Sequence, residues 1–310
     1  MDRGFYAFGT ANYIKIESSL SESSQEDILN KTEITCKNLD DLLSAYKEDS
    51  EVSQINRQSG IAPVSISTET FNLLKRALYF SEVSKGGFDI TIRPAVKLWN
   101  INKENQKIPN EMELMRVRDL VDYTSLVLDD NNQTAFLKKE GQAIDLGGIA
   151  KGYAGDCIRQ ELINSGVDKA LINFGGTVLT IGTKADGSSW KVGIQHPHKS
   201  RGISLGSVIL DDDILVTSGV YERFFIQDGI RYHHILNPRT CKPIVSTVVS
   251  VTAAGGSAMD LDGITTALFV LGLEAGIKLA NELKIDALYL MENGDIIGTR
   301  GFMDGKYMLQ

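Results

Sequence analysis

The chain is poor in the residues from which disulfide scaffolds and zinc sites are built. Only three cysteines occur in 310 residues, Cys36, Cys157 and Cys241, far apart and with no Cys-x-x-Cys pair. Neither a disulfide framework nor a zinc ribbon is expected, and the odd count favours free thiols. Positive charge is also short: 32 Lys and Arg against 40 Asp and Glu leave a formal net charge of −8. That excludes a broad nucleic-acid-binding surface, which has to be basic. It also means that a phosphate-rich ligand must be held locally, by a metal, a helix terminus or a few cations. No apolar run approaches the ~20 residues of a membrane span, so no transmembrane segment is expected. The longest, near Ala267–Leu273, suits a buried helix. The first residues, Met1-Asp-Arg-Gly-Phe5, do not read as a signal peptide. The expectation is a cytoplasmic protein or a trimmed form of an exported one. What is present, 42% hydrophobic and 23% charged residues, is the ordinary composition of a folded domain.

Periodicity predicts the elements. Phe5–Ile16 alternates loosely and is rich in aromatic and β-branched residues, which predicts a strand. Helices are expected over Ser24–Tyr46, about Thr68–Val83, Ile92–Trp99 with Pro94 in its first turn, and Met112–Leu120. Ser50–Asn56 is expected as a polar link and 103–112 as a charged loop. From about Ser125 short apolar runs alternate with turns, which predicts strands at 125–128, 134–137, 170–174, 178–181, 190–194, 206–210, 224–226, 232–236, 248–252 and 288–291. Two late helices are expected, Asp262–Leu271 and Glu274–Leu283. The fold class is therefore α+β, a single two-lobed body with helices grouped early and a mixed sheet late. One domain is expected over 1–310, with lobes of about 1–125 and 126–310.

The most informative run is Asp145-Leu-Gly-Gly-Ile-Ala-Lys-Gly-Tyr-Ala-Gly-Asp156. Ala150, Ala154, Ile158 and Leu162 recur every four residues, so a carboxylate and the pair Gly147-Gly148 stand where the chain turns into a helix. Free N–H groups at a helix start, close-approach glycines and Lys151 suit a phosphate or a metal–phosphate complex. The alternative is an aspartate cap and a tight turn with no ligand. It is not a P-loop, because Tyr153 stands where Ser or Thr is required, and the glycine spacing is wrong for the dinucleotide fingerprint. A second group is Ser257–Gly272. Asp262 and Thr266, four apart at the start of an apolar helix, put two oxygens on one side. Carboxylate plus hydroxyl, completed by carbonyls, water and phosphates, is a magnesium arrangement, and a helix-favouring charge is the alternative. A third group is Thr217–Phe225 with Tyr232-His-His-Ile-Leu-Asn-Pro-Arg-Thr240. On a strand His233 and His234 face opposite ways, so at most one enters a given site. A histidine can accept a proton near neutral pH, while a surface residue and a bonded core residue form the alternative. Asp89, in Gly86–Pro94, could cap the next helix or bond a ligand. Asn173-Phe-Gly-Gly176 offers another close backbone approach.

Phe8-Gly-Thr10, Ser50–Asn56, Gly87-Phe-Asp89 through Trp99, Asp145–Asp156, Asn173–Gly176, Thr217–Phe225, His233–Pro243 and Ser257–Gly272 together, in this order, resemble the ApbE family of FAD:protein FMN transferases. The resemblance covers nearly the whole chain and implies an ApbE-like, T-fold-related architecture. It implies an enzyme that binds FAD with Mg²⁺ and transfers FMN to a Thr or Ser hydroxyl of a target flavoprotein through a phosphoester, releasing AMP. Residue by residue, it implies cofactor contacts for Phe8, Phe88, Asp89, Asp145, Lys151, Ile235 and Leu236. Metal ligands would be Asp262, Thr266 and Gly148, the last through its carbonyl. His234 would activate the acceptor hydroxyl. Asn237 replaces a frequent Asp, Cys241 stands where Gly is usual, and Arg93 where Gly is often found, which bears on the target groove. Relatives commonly act outside the cytoplasmic membrane, and the lipobox cysteine is missing here. Two other outcomes share these residues: an FAD pyrophosphatase giving FMN and AMP, and a flavin-binding protein without turnover.

Overall fold

The computed structural model describes residues 1–101, 103–200 and 202–310. An eight-stranded sheet runs through the molecule in the order Asp2–Ala7, Thr10–Ile16, Ala170–Phe174, Thr177–Ile181, Ile214–Gly219, Val248–Ala254, Asp286–Met291, Ile296–Gly298. Every pairing in it is antiparallel. A parallel contact occurs elsewhere, as an isolated bridge between Ile92 and Ala143. The α+β class holds, and the N-terminal hairpin takes part in the same sheet as the late strands.

The central strands are covered on both faces. All of Thr177–Ile181 and all of Val248–Ala254 are buried, so polar–apolar alternation is weak there. Side chains still alternate between two cores, as a period of two requires. Leu179, Val216, Ala253 and Tyr289 point to the helical side with Ile158, Leu162, Ile264 and Leu268. Their neighbours Val178, Leu215, Ala254 and Leu288 point to the opposite side, against Trp190, Val208 and Leu210 of a separate hairpin and Phe302 and Tyr307. A third small cluster joins Trp99, Phe225, Leu236 and Cys241.

Several elements differ from expectation. The first strand is a hairpin, Asp2–Ala7 with Thr10–Ile16, turned by Phe8 at φ 52° and Gly9 at φ 68°. Two positive φ values match the right-handed twist of a two-residue turn, but a phenylalanine gives no local warning of one. Ser50–Asn56 is no link: Glu51–Arg57 is a helix, capped by the Ser50 hydroxyl on the Ser53 N–H at 2.9 Å, with Val52 and Ile55 buried. Ile214–Gly219 is a central strand that follows three aspartates and was not among those expected. The late helix is one run, Ala258–Glu282, broken at Gly272 with φ 76° and ψ −177°, so two helical pieces do meet there. By length and composition this helix could cross a membrane. Here it packs on the sheet as a core helix, with Leu261, Ile264, Leu268 and Phe269 buried.

Candidate functional site

The helix Ala150–Asn164 begins without a side-chain cap from its own segment. Asp145 does not supply one. Its Oδ1 accepts from the Gly147 N–H at 2.9 Å, closing a local turn, and its Oδ2 accepts from Arg93 at 2.9 Å. The carboxylate facing the helix start belongs to Asp262, on the other helix. Asp262 is 4% exposed. Its Oδ2 accepts from the Gly152 N–H at 3.0 Å, and both oxygens lie 3.2 Å from the Lys151 Nζ. Lys151 also donates to the Gly147 carbonyl at 2.9 Å. Opposite charges, a helix dipole and a backbone donor thus compensate a buried carboxylate.

Thr266 comes to the same place. A Cβ built on Gly148 would lie 3.5 Å from the Thr266 Oγ1 and 3.1 Å from the Phe88 ring. Gly148, Phe88, Lys151, Asp262 and Thr266 are therefore neighbours, although 178 positions of sequence numbering separate Phe88 from Thr266. The adjacent Thr265 is used differently: its hydroxyl pairs with Ser218 at 2.9 Å and with the Asp262 carbonyl at 3.1 Å.

Helix contact brings this about. A Cβ on Gly152 would stand 2.1 Å from the Ala258 carbonyl oxygen, so the two helices touch backbone to backbone. Asp156 completes the junction by accepting from the N–H groups of Ala258 at 2.9 Å and Met259 at 2.9 Å. Burial raises the Asp156 pKa, and these bonds oppose the rise. Arg76 grips Asp260 through both carboxylate oxygens at 2.6 and 2.5 Å. Sequence reasoning missed Gly152 and Asp156 as helix-joining residues. Two helical glycines, 152 and 155, are the signal for close approach, whereas Asp156 caps a partner about a hundred residues away and leaves no local trace. Gly152→Ala is expected to destabilise the protein by about 1–3 kcal/mol or more, since backbone must move. Thermal denaturation checks this, and an unshifted Tm would contradict the contact.

The two histidines divide as the strand geometry requires. His233 is buried, its Nε2 donating to the Ile244 carbonyl at 2.9 Å and its Nδ1 accepting from the Ile235 N–H at 3.3 Å. Burial depresses its pKa, so it is a neutral core residue. His234 is open to solvent. Its Nδ1 lies 3.2 Å from the Arg223 carbonyl, which can only accept, so Nδ1 carries the proton and Nε2 keeps its lone pair. Lost hydration first, then the Arg223 charge, push its pKa down, and Lys151 acts in the same direction. Arg223 also donates to the Gly9 carbonyl at 3.2 Å, tying the Phe8 turn to this histidine. The sequence reading did not single out Arg223.

The remaining expected residues are placed as follows. Phe8 is half-buried at the hairpin turn. Asp89 is buried and does not cap the Arg93–Trp99 helix. Its oxygens accept from the Thr91 N–H and hydroxyl at 2.8 and 2.7 Å and from the Tyr123 N–H at 3.1 Å. Desolvation raises its pKa against those bonds. Ile235 and Leu236 are buried core residues, and the Ile235 carbonyl accepts from Ile244 at 3.2 Å. Cys241 has φ 56°, a conformation that glycine adopts without strain.

Among the described residues no three His, Cys, Asp or Glu side chains converge as a metal cluster. The oxygens available are one carboxylate, one hydroxyl and backbone carbonyls. Such hard, sparse donors fit Mg²⁺, which keeps water and binds substrate phosphates. They do not fit zinc.

A sequence model of the ApbE family matches residues 8–289. The chain is 37% identical over 262 residues to an FAD:protein FMN transferase of Klebsiella pneumoniae (strain 342), covering 84% of this chain and 81% of that protein. It is 36% identical over 277 residues to the FAD:protein FMN transferase of Treponema pallidum (strain Nichols), with 85% and 76% covered. Among solved structures, the ApbE protein of Thermotoga maritima superposes with a TM-score of 0.91 at 31% identity, over 99% of both chains. The flavin transferase ApbE of Vibrio cholerae gives 0.86 at 28% identity, over 96% of both. On sequence and fold alike, this chain belongs to the ApbE family.

Proposed function

We propose that the protein is a Mg²⁺-dependent transferase that moves the FMN part of FAD onto a Thr or Ser hydroxyl of a target flavoprotein and releases AMP. The observation that carries this reading is the convergence of Asp262 and Thr266 on the Gly147-Gly148 turn. Two of the helix's first N–H groups are already engaged, Ala150 by the Leu146 carbonyl at 2.8 Å and Gly152 by the Asp262 carboxylate at 3.0 Å. A diphosphate would therefore meet a carboxylate, and the two anions need a cation between them. Asp262, Thr266 and the Gly148 carbonyl are the groups that would hold Mg²⁺. When bound there, the ion would supply neutralisation of the diphosphate and polarisation of the phosphorus under attack.

The chain's own residues do the rest. Lys151 adds a positive charge beside the phosphates. Phe88 walls the glycine turn, and Phe8 offers an aromatic face for the flavin. His234 accepts the acceptor hydroxyl's proton on Nε2. The hydroxyl oxygen then bonds to the FMN phosphorus. The bond from that phosphorus to the bridging oxygen breaks, and AMP leaves with the oxygen and the electron pair.

Incubation with FAD, Mg²⁺ and a Thr-containing target domain tests the reading. The expected result is a target heavier by one FMN less water, with one AMP released per label. AMP release without label would show hydrolysis of FAD instead. FAD left intact after long incubation would reduce the protein to a flavin binder.

A further inference from the structure

Arg93 is a buried arginine, 4% exposed, at the start of a short helix. Its guanidinium reaches three segments. It donates to the Asp145 Oδ2 at 2.9 Å and to the Ala45 carbonyl at 3.0 Å. It also lies 3.8 Å from the centre of the Tyr46 ring. Its Nε is buried without a hydrogen-bond partner, so the group is not in an ideal solvation cage. Arginine tolerates such a site because its charge is delocalised and its fork matches a carboxylate. Asp145 in turn is held at both oxygens, by Arg93 and by the Gly147 N–H. The backbone reinforces the link: the Asp145 N–H donates to the Ile90 carbonyl at 2.7 Å, three residues before Arg93.

We propose that Arg93 is a positioning residue for binding of the anionic dinucleotide. It fixes the Asp145 rotamer and cancels that carboxylate's charge beside the diphosphate. Asp145 can then accept from a ligand hydroxyl or amine without repelling the phosphates. The turn carries two compensated pairs, Arg93 with Asp145 and Lys151 with Asp262. Without Arg93 the balance becomes one negative charge, facing an anionic ligand in a protein already at −8. The inference rests on the flavin-dinucleotide reading above. Arg93 touches no reacting atom in that scheme, so its loss should fall on affinity and not on the chemical step.

The test uses the full chain with Arg93→Gln, Arg93→Lys, Asp145→Ala and the double variant Arg93→Gln with Asp145→Ala. Folding is checked by thermal melting, and FAD affinity by flavin fluorescence titration in the presence of Mg²⁺. Arg93→Gln should weaken FAD binding about tenfold to a hundredfold, the range for a lost hydrogen bond to a charged group. Its kcat at saturating FAD should stay within about threefold of the wild type. Arg93→Lys, which keeps the charge, should recover most of the affinity. The double variant should bind no worse than Asp145→Ala alone, because the two residues act as a unit. Unchanged affinity in Arg93→Gln, equal loss in Arg93→Lys, or losses that simply add would overturn the proposal. Wild-type protein that binds no FAD would instead remove the flavin reading, and this inference with it.

Discussion

Asp262→Asn should lose transferase activity by about 10³-fold or more, the rate equivalent of several kcal/mol of charge stabilisation. The residue is buried and each of its oxygens is engaged, one by Gly152 and both by Lys151. Asparagine keeps the volume and one acceptor for the Gly152 N–H, so the helix junction should survive and the melting temperature should shift little. What disappears is the negative charge that would hold a divalent cation. Two measurements separate the effects. AMP release in single turnover reads the chemistry, and a Mg²⁺ titration followed by thermal shift reads the metal. Loss of both with an intact fold is the expected outcome. A variant within tenfold of wild-type turnover would end the assignment of Asp262 to the metal.

His234→Ala should slow transfer by about 10²–10⁴-fold, the usual contribution of a positioned base. The fold should be little affected, because the residue is exposed and, among the described residues, its ring bonds to the Arg223 carbonyl alone. The pH profile carries the sign. A base works when deprotonated, and the His234 pKa is pushed below the ordinary histidine value of 6.5. The wild-type rate should therefore hold steady as pH falls through 6.5 and decline only below it. In His234→Ala that acid limb should vanish. A limb that persists unchanged in the variant would assign the proton to another group. The neighbouring His233 makes the contrasting control: buried and doubly bonded, its loss should lower stability without reshaping the pH profile.

The site was legible in the sequence to an uneven degree, and the reasons are local. The run from Asp145 to Asp156 announces a turn into a helix because apolar residues recur every four positions. The spacing of Asp262 and Thr266 announces a shared helical side. Adjacent His233 and His234 announce one buried ring and one open ring, which the structure shows. Nothing local says that Asp262, not Asp145, faces the start of the Ala150–Asn164 helix. The two candidate carboxylates look alike on paper, and only helix packing at Gly152 selects between them. Arg93 shows the same limit. As a letter it is a departure from the family pattern, and only its reach to Asp145 and Ala45 gives it a role.

The fold followed a similar division. Strands with one exposed face alternate and can be read, as at Trp190–Gln195. Ile214–Gly219 lies in the middle of the sheet with both faces covered, so its pattern is weak and its place depends on partners on either side. The hairpin turn at Phe8-Gly9 is adopted because the flanking strands pair, against the preference of phenylalanine for negative φ.

By itself, then, the chain's sequence determined its α+β class, most of its helices, its want of basic surface and the family it belongs to. Those depend on periodicity, charge count and ordered motifs, which are properties of the chain alone. The tertiary structure decided which carboxylate guards the helix start, which histidine is open, and which arginine steadies Asp145. Each of those depends on contacts between residues distant along the chain, and such contacts exist only once the helices have closed on the sheet.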